Sequence, residues 1–422
     1  MNPLSPCIAL RPRPIEFSGS WSASVRLFAF CAILVFSFVP VPIYINLSQI
    51  FLLILCAIAL SCYLVRLEAD IFAALFLILL IAISQLIGID HSPAAEKYYL
   101  TPVLFLTSLL LAPAMMLLAR SYPPASLSRL APRIINWVLV FLVIECVSRL
   151  IFSPYMPASA EMDVSDSFYL YKASLFFVDS NFVGIEILCL LAIMFAFRET
   201  IGRKRWMLAY FLLFATMSRA SIAAGICQLV VYKLWRWRVW TLFGLLAAQA
   251  LVVVRLFMNF TTQGSQAIHN MDGSLSTKFF ILSLMTEIYR RADTAQRLFG
   301  IGVGNLFYLA GIFAHNIVAT LVLELGICGS LLFAAYVWIL SRKCPSSIYL
   351  LILPVVINGF SLVSTSMPYF FAALGLLAAL RDSERDGTGA LESKSQPAES
   401  RKDEHGQNQR TYECVQRGSL RC

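Results

Sequence analysis

Long apolar runs separated by short polar segments dominate this sequence. A helix that crosses a bilayer needs about 20 predominantly apolar residues to span about 30 Å of hydrocarbon. With 59% hydrophobic and 14% charged residues, the 422-residue chain is far more apolar than a soluble domain. The pattern predicts an all-α, polytopic integral membrane protein with about twelve transmembrane helices. The apolar runs occupy residues 27–44, 47–65, 71–87, 100–118, 134–152, 175–197, 206–217, 221–232, 239–257, 314–340, 348–363 and 367–380.

Lysine and arginine are concentrated in every second connecting segment. The short segments on the other side hold only Lys97 and Lys172. Because positive charge marks the cytoplasmic side of a membrane protein, both termini are expected in the cytoplasm. The net charge of +9 is then explained without a nucleic-acid partner. The basic segments contain Arg11, Arg13 and Arg26; Arg66; Arg120, Arg129 and Arg133; Arg198, Arg203, Lys204 and Arg205; Lys233, Arg236 and Arg238; and Arg342 and Lys343.

This alternation divides the chain into successive parts. The tail is rich in Ser, Glu, Arg, Asp and Gln and has few large apolar residues, a composition typical of disorder. The large outer loop contains an amphipathic stretch, residues 277–289, which is expected to lie along the membrane surface. The parts are a cytoplasmic N-terminus (1–26), transmembrane helices 1–9 (27–257), the large loop (258–313), transmembrane helices 10–12 (314–380) and a cytoplasmic tail (381–422).

Two of the apolar runs, 206–217 and 221–232, are too short for ordinary spans. Basic segments flank the pair on both sides, so the chain is expected to enter the membrane and return. Ser218 and Arg219 would then form the apex of a short hairpin. A single tilted helix is the competing interpretation, since 27 residues extend over about 40 Å.

Arginines away from the cytoplasmic side need compensation, because an arginine inside the bilayer costs at least ~2.5 kcal/mol. Arg149 and Arg255 lie at outer ends of spans, where snorkelling to the interface is one explanation. Arg219 at the hairpin apex has an ion pair with a buried acid as its alternative explanation. Guanidinium groups also bind phosphate oxygens in a bidentate fork. The acids considered are Glu145, Glu186 and Glu324, and the loop adds Lys278, Arg290 and Arg291 as further candidate phosphate-binding groups.

His315 and Asn316 stand where the large loop enters the tenth apolar run. An imidazole exchanges a proton near neutral pH and so suits the removal of a proton from a sugar hydroxyl. In a regular helix the residues that share a face with His315 would include small ones, which allow close helix packing. Glu324 would point to the opposite face. The stripe comprises His315, Ala319, Val322, Gly326 and Gly329.

Two further motifs, FGIGVGN and DSN, indicate a function less specifically than the residues above. The glycines of FGIGVGN, residues 299–305, lack the spacing and the preceding strand of a dinucleotide fingerprint. They are interpreted as a flexible turn that delivers Asn305 toward the bilayer. Asp179, Ser180 and Asn181 interrupt the outer part of the sixth apolar run, where they are expected to bend the helix or line a substrate cavity.

Taken in order, these pieces resemble the bacterial O-antigen polymerase and O-antigen ligase superfamily. Ser180 stands where that family more often has Pro, and Lys278 where it often has Arg. The resemblance covers roughly residues 175–340. The matching pieces are DSN at 179–181, SRAS at 218–221, DGSLSTK at 272–278, LFGIGVG at 298–304, and HN at 315–316 followed by Gly326 and Gly329.

The resemblance implies a GT-C-like glycosyltransferase of the bacterial inner membrane that needs neither metal nor other cofactor. It would act at the periplasmic face on undecaprenyl-diphosphate-linked glycans, with the bilayer, a flippase and a chain-length regulator as partners. His315 would activate the acceptor hydroxyl, and Arg219 would help to neutralise the departing pyrophosphate. The residues expected to bind substrate are Arg255, Lys278, Arg290, Arg291, Asn316, Asp179 and Asn181.

Other functions stay open at this point. A polymerase would make O-antigen, capsule or exopolysaccharide, whereas the ligase of the same superfamily would transfer finished polymer to lipid A core. A protein glycosyltransferase is a further enzyme of this kind. From another class, a lipid-linked oligosaccharide flippase or transporter would also have many spans and buried arginines, but the internal repeat that marks many transporters is not evident in this sequence.

Overall fold

The computed structural model describes residues 8–9, 23–39, 46–62, 68–94, 97–122, 124–152, 173–174, 176–234, 273–311, 316–342, 345–359 and 367–382, together with residues 240, 244, 247, 251, 254, 255 and 258. The latter seven residues are helical. His315, the 153–172 segment and the tail after residue 382 lie outside the described residues.

The described chain is helical apart from two pairs of two-residue strands. Strand β1 (Ile8–Ala9) is antiparallel to β4 (Arg381–Asp382), and β2 (Ala173–Ser174) is antiparallel to β3 (Val178–Asp179). The helices are α1 (Ala23–Phe38), α2 (Leu47–Cys62), α3 (Ala69–Asp90), α4 (Leu100–Arg120), α5 (Pro124–Phe152), α6 (Ser180–Ala196), a 3₁₀ turn (Arg198–Thr200), α7 (Arg203–Ala215), α8 (Arg219–Lys233), α9 (Gly273–Arg291), α10 (Thr294–Phe299), α11 (Asn305–Ala310), α12 (Ile317–Ala319), a π-helical segment (Thr320–Leu325), α13 (Gly326–Ser341), α14 (Pro345–Gly359) and α15 (Pro368–Ala379).

Several of these helices have the length and composition of membrane spans. Among the described residues, four stretches are long and apolar enough to cross a bilayer: Ala69–Asp90, Leu100–Arg120, Ser126–Ile151 and Thr320–Ser341. This confirms the helical fold expected from the sequence and shows helices of the length and composition that a span requires, while the count of about twelve spans stays a prediction. Shorter apolar helices cover Leu27–Phe38, Ser180–Ala196, Ser347–Gly359 and Pro368–Ala379.

Two short helices, α6 and α15, lie in the centre of the bundle. Every residue of α15 is buried, as is every residue of α6 from Val183 to Phe195. Both are almost entirely apolar, with Glu186 as the one charged residue in either helix, as expected for helices surrounded by other helices. Gly375 lets α15 approach α4 closely, because a Cβ at Gly375 would lie 2.1 Å from the carbonyl oxygen of Ala112.

The short hairpin expected near Ser218 is present. Helices α7 and α8 contain 13 and 15 residues, and a turn through Thr216, Met217 and Ser218 joins them. A helix of 15 residues is about 22 Å long, less than the thickness of the hydrocarbon core. The interpretation as a single tilted helix is therefore wrong.

The regular helix expected after His315 is interrupted. Residues Thr320–Leu325 are π-helical, and Gly326 has φ 68° and ψ 179°. Because the π turn changes the angle between successive side chains and Gly326 has a non-helical backbone conformation, the part of the predicted stripe from Ala319 to Gly329 does not form one straight face. The turn that contains Gly300 packs directly against this break in the helix. A Cβ at Gly326 would lie 2.3 Å from the amide nitrogen of Gly300.

An ion-pair cluster joins the start of α3 to the end of α4. Arg120 contacts Glu68 at 2.8 Å and Asp70 at 3.1 Å, and the side chains of Arg120 and Asp70 are 7% and 3% exposed. From the sequence, Arg120 was expected in a basic segment that connects two apolar runs. The structure instead buries it at the end of α4, where two carboxylates neutralise its charge.

Candidate functional site

The hairpin apex packs against α6 through small polar residues. Ser218 is the N-cap of α8, and its Oγ accepts a hydrogen bond from the Ser221 amide at 3.3 Å. The two hydroxyl oxygens lie 2.9 Å apart. Gly184 of α6 makes this approach possible, because a Cβ there would lie 2.2 Å from the Oγ of Ser221.

Helix α14 joins the hairpin apex to the start of α12. Asn358 is fully buried, and its Nδ2 donates to the Oγ of Ser221 at 3.2 Å. The next residue, Gly359, lies against Ile317, whose Cβ would be 2.9 Å from a Cβ at Gly359. We call Gly184, Ser218, Ser221, Asn358 and Ile317 the apex cluster.

Asn316 caps the helix that leads away from the apex cluster. Its carbonyl oxygen accepts from the Thr320 amide at 3.0 Å, and its Oδ1 lies 3.4 Å from the Ala319 amide. Asn316 therefore has a structural role at the start of α12, and its expected role in substrate binding stays a prediction. His315 itself lies outside the described residues, one position before Asn316.

The DSN motif begins α6 and does not bend it. Asp179 is the N-cap, and its Oδ1 accepts from the Asn181 amide at 2.8 Å. Since β3 ends at Asp179 and α6 begins at Ser180, the expected bend within a longer helix is wrong, while the lining of a substrate cavity stays a prediction. Ser180 is fully buried, and its hydroxyl makes no hydrogen bond with any described residue. Asn181 is half-buried beside it.

Two arginines, Arg219 and Arg149, lie next to the apex of the hairpin. Arg219 is exposed at the first position of α8, directly after Ser218. Arg149 is buried, and its Nε lies 2.9 Å from Glu145 Oε1, so the expected snorkelling to the interface is wrong. Its Nη1 also lies 3.4 Å from the carbonyl oxygen of Ala215, which connects α5 to the end of α7.

The glycine-rich turn between α10 and α11 uses its backbone amides internally. The four consecutive N–H groups of residues 301–304 all donate within the protein, so they are not available to cradle a phosphate. In chain order they donate to Leu323 O (2.9 Å), Glu324 O (3.1 Å), Gln85 Oε1 (2.8 Å) and Glu324 Oε1 (3.1 Å). The carboxylate of Glu324 thus accepts a hydrogen bond from a backbone amide. The sequence had suggested instead that Glu324 pairs with another charge inside the membrane.

Asn305 fixes the same turn to the segment before α4. Its Oδ1 accepts from the Tyr98 amide at 2.9 Å, and its Nδ2 donates to the Tyr98 carbonyl oxygen at 3.1 Å. Asn305 is fully buried. The expectation of a flexible turn that delivers Asn305 toward the bilayer is therefore wrong, since the turn is packed and pinned by two hydrogen bonds.

Helix α9 shares a hydrophobic cluster with the segment that follows Asn316. Its apolar positions Ile281 and Met285 pack in one cluster with Ala319 and Leu323. The predicted amphipathic stretch is thus part of a helix, and that helix packs on the segment that follows Asn316.

The remaining candidate cations occupy different parts of the structure. Lys278 lies in α9, and Arg290 and Arg291 are exposed at the end of that helix, where Arg291 contacts Glu287 at 2.9 Å. Arg255 is helical and exposed, and its place near the apex cluster stays a prediction. In the described part of the chain, no group of three or more His, Cys, Asp or Glu side chains is arranged to hold a metal ion.

Sequence reasoning missed Asn358 and Gly184, two residues that hold this end of the bundle together. Asn358 is a polar residue within the apolar run 348–363, and a polar residue inside a span is a signal of function or of a specific contact. Gly184 carried no such signal, because its importance depends on the neighbour that packs against it.

The chain has no match among known families by sequence. A scan against protein-family models finds no match, and a search of curated proteins finds no significant one. The resemblance to the O-antigen polymerase and ligase superfamily therefore rests on the motifs in this sequence alone.

Proposed function

We propose that this protein is a polysaccharide polymerase that joins undecaprenyl-diphosphate-linked repeat units at the periplasmic face of a bacterial inner membrane. The observation that carries this proposal is the apex cluster. It brings the start of α8, the first turns of α6 and the helix that follows Asn316 to one end of the bundle. Two of the motifs on which the resemblance depends, DSN and SRAS, stand at the start of α6 and of α8, and Asn316 of the HN motif directly precedes α12.

Arg219 is suited to bind the diphosphate of the donor. It is exposed at the first position of α8, so a lipid-linked substrate can reach it from outside the bundle. The positive ends of two helix dipoles support the same role, because α6 and α8 both begin at this end and pack against each other through Gly184 and Ser221.

The proposed reaction needs one base and stabilisation of the leaving group. His315 takes the proton of the acceptor hydroxyl, whose oxygen forms a bond to the anomeric carbon of the donor chain. The bond from that carbon to the diphosphate oxygen breaks, and undecaprenyl diphosphate leaves with the electron pair. Arg219 neutralises the charge that develops on the diphosphate, with Arg290 and Arg291 of α9 as further cations.

The proposal is tested in a bacterial strain that lacks this protein and is complemented with variants at matched membrane abundance. The variants are Arg219→Ala, His315→Ala and a control, Arg203→Ala, which removes an exposed arginine from the opposite end of the same hairpin. The measurements are the length profile of the surface glycan and the glycan bound to the lipid carrier.

We expect the null strain, Arg219→Ala and His315→Ala to keep single repeat units and to lose long chains, while Arg203→Ala behaves as wild type. If polymer accumulates on the lipid carrier and never reaches the lipid A core, the protein is a ligase. If long chains persist in the null strain, the polymerase proposal is wrong. If Arg219→Ala and His315→Ala restore normal chains, the assignment of these residues is wrong.

A further inference from the structure

One buried amide side chain near the end of α14 contacts the hairpin apex. Asn358 is fully buried, and its Nδ2 donates a hydrogen bond to the Oγ of Ser221 at 3.2 Å. The Oγ of Ser221 in turn lies 2.9 Å from the Oγ of Ser218, which is the N-cap of α8. This chain of hydrogen bonds ends next to Arg219, the first residue of α8. The end of α14 is therefore linked to the backbone that carries the proposed diphosphate-binding arginine.

The next residue of α14 contacts the other half of the proposed site. A Cβ at Gly359 would lie 2.9 Å from the Cβ of Ile317 and 3.1 Å from its Cγ2, so a larger residue would force the two helices apart. Because two residues of chain extend over at most about 7 Å, His315 cannot lie farther than that from Ile317. Consecutive residues of one helix thus contact positions that are each two residues from a proposed catalytic group.

A second buried amide joins the same two helices farther along α8. Gln228 is fully buried, and its Nε2 donates to the Leu350 carbonyl oxygen of α14 at 2.7 Å and to the Leu188 carbonyl oxygen of α6 at 3.2 Å. The helix from Arg219 to Gln228 extends over about 14 Å. Amide side chains therefore hold α8 against α14 at two points, and of these two contacts only that of Asn358 adjoins the proposed site.

We propose that Asn358 and Gly359 are positioning residues, which hold Arg219 and His315 at the separation that glycan transfer requires. This inference rests on the proposed function and deepens it. The base must reach the acceptor hydroxyl while the arginine contacts the diphosphate of the donor, so the two groups act together only at a suitable separation. A misplacement of about 1 Å, caused by a substitution far from the chemistry, can cost about 100-fold in rate. Both residues of α14 act through their neighbours, Asn358 through Ser221 and Gly359 through the start of α12.

The test compares turnover with stability in purified protein reconstituted in lipid nanodiscs. The substrate is the lipid-linked glycan extracted from the strain that lacks this protein, and the polymer formed from it gives kcat and KM. Thermal unfolding of each variant reports its stability. The variants are Asn358→Leu, which removes the donor at similar volume, Ser221→Ala, which removes the acceptor, their double variant, and Gly359→Ala. Gln228→Leu is the matched control, because it removes buried amide hydrogen bonds between the same helices.

We expect kcat of Asn358→Leu and of Gly359→Ala to fall about 10- to 100-fold with KM within about threefold of wild type, because substrate still binds but the reacting groups are misplaced. Ser221→Ala should lower kcat in the same way. The double variant should be no slower than the slower single variant, since both substitutions remove one hydrogen bond. Gln228→Leu should lower the unfolding midpoint, while kcat of the folded protein stays within about twofold of wild type.

The outcomes separate this inference from the proposed function. If wild type forms polymer but Asn358→Leu keeps the kcat of Gln228→Leu, the positioning role alone is wrong. The same holds if the effects of Asn358→Leu and Ser221→Ala multiply in the double variant. If wild type forms no polymer from this substrate, the proposed function is wrong and the positioning role falls with it. Should Asn358→Leu fail to fold, Ser221→Ala, which removes one oxygen from the same contact, decides by the same comparison with Gln228→Leu.

Discussion

At Gly326 the backbone passes within contact distance of the turn that contains Leu298 and Gly300. The backbone angles of Gly326, φ 68° and ψ 179°, lie in a region that only glycine adopts readily. A Cβ at this position would lie 2.3 Å from the Gly300 amide nitrogen and 2.6 Å from the Leu298 carbonyl oxygen. Both of these atoms belong to backbone, which cannot move aside as a flexible side chain can.

The substitution Gly326→Ala should therefore destabilise the protein through two additive effects. Forcing alanine into this backbone conformation costs about 1–3 kcal/mol. Relieving the overlap with the turn that contains Gly300 costs about 1–3 kcal/mol more, as in other overpacked cores. The expected loss is about 2–6 kcal/mol in total, a large part of the stability of an ordinary domain.

Two further glycines separate these effects. Gly311→Ala tests backbone strain, because Gly311 also has φ 68° but no atom of a described residue lies within 4 Å of its added Cβ, and the expected cost is about 1–2 kcal/mol. Gly329→Ala, one turn after Gly326, meets its nearest atom at 3.3 Å without a positive φ. Its expected effect is within about 1 kcal/mol of zero, since alanine is the better helix former.

The assay is thermal unfolding in nanodiscs, with size-exclusion chromatography to confirm the folded fraction before heating. The expected order of stability is Gly329→Ala, then Gly311→Ala, then Gly326→Ala. If Gly326→Ala is as stable as Gly329→Ala, the close approach of the two backbones described here is wrong. If it equals Gly311→Ala, backbone strain acts alone and the overlap is relieved without cost.

Three further substitutions test other contacts. Arg120→Ala leaves two carboxylates without their cation and should cost about 3–5 kcal/mol of stability, measured by thermal unfolding. Asn305→Ala removes both hydrogen bonds to the Tyr98 backbone and should cost about 1–3 kcal/mol in the same assay. Gly184→Ala places a methyl group against Ser221, so it should cost about 1–3 kcal/mol and also shorten the surface glycan, measured as chain length in the complemented strain.

Each kind of substitution has a control on the surface. Arg342→Ala removes an exposed arginine, and Gly202→Ala adds a methyl group whose nearest atom is 3.9 Å away, at the end of the flexible Arg205 side chain. Both should change stability by less than about 0.5 kcal/mol. An Arg120→Ala protein as stable as Arg342→Ala would contradict the ion-pair cluster. A Gly184→Ala protein with the glycan profile of Gly202→Ala would contradict a functional role for the apex cluster.

The positions of the helices follow from properties that are local in the sequence. A run of apolar residues becomes a helix in a membrane because every backbone amide and carbonyl must then be satisfied within the segment itself. The short hairpin was predictable from another local property, since the basic segments on both sides of residues 206–232 indicate that the chain returns to the same side. The SRAS motif at its apex could be singled out without any knowledge of its neighbours.

Only the tertiary structure decided how these helices meet. Arg149 is buried because the end of α7 packs over it, with its Nη1 3.4 Å from the carbonyl oxygen of Ala215. Gly326 tolerates its conformation because the turn at Gly300 packs against it. Asn358 reaches the hairpin from 137 residues away. Contacts between segments so distant in sequence leave no periodic pattern, because each depends on a partner whose position is set by the whole bundle.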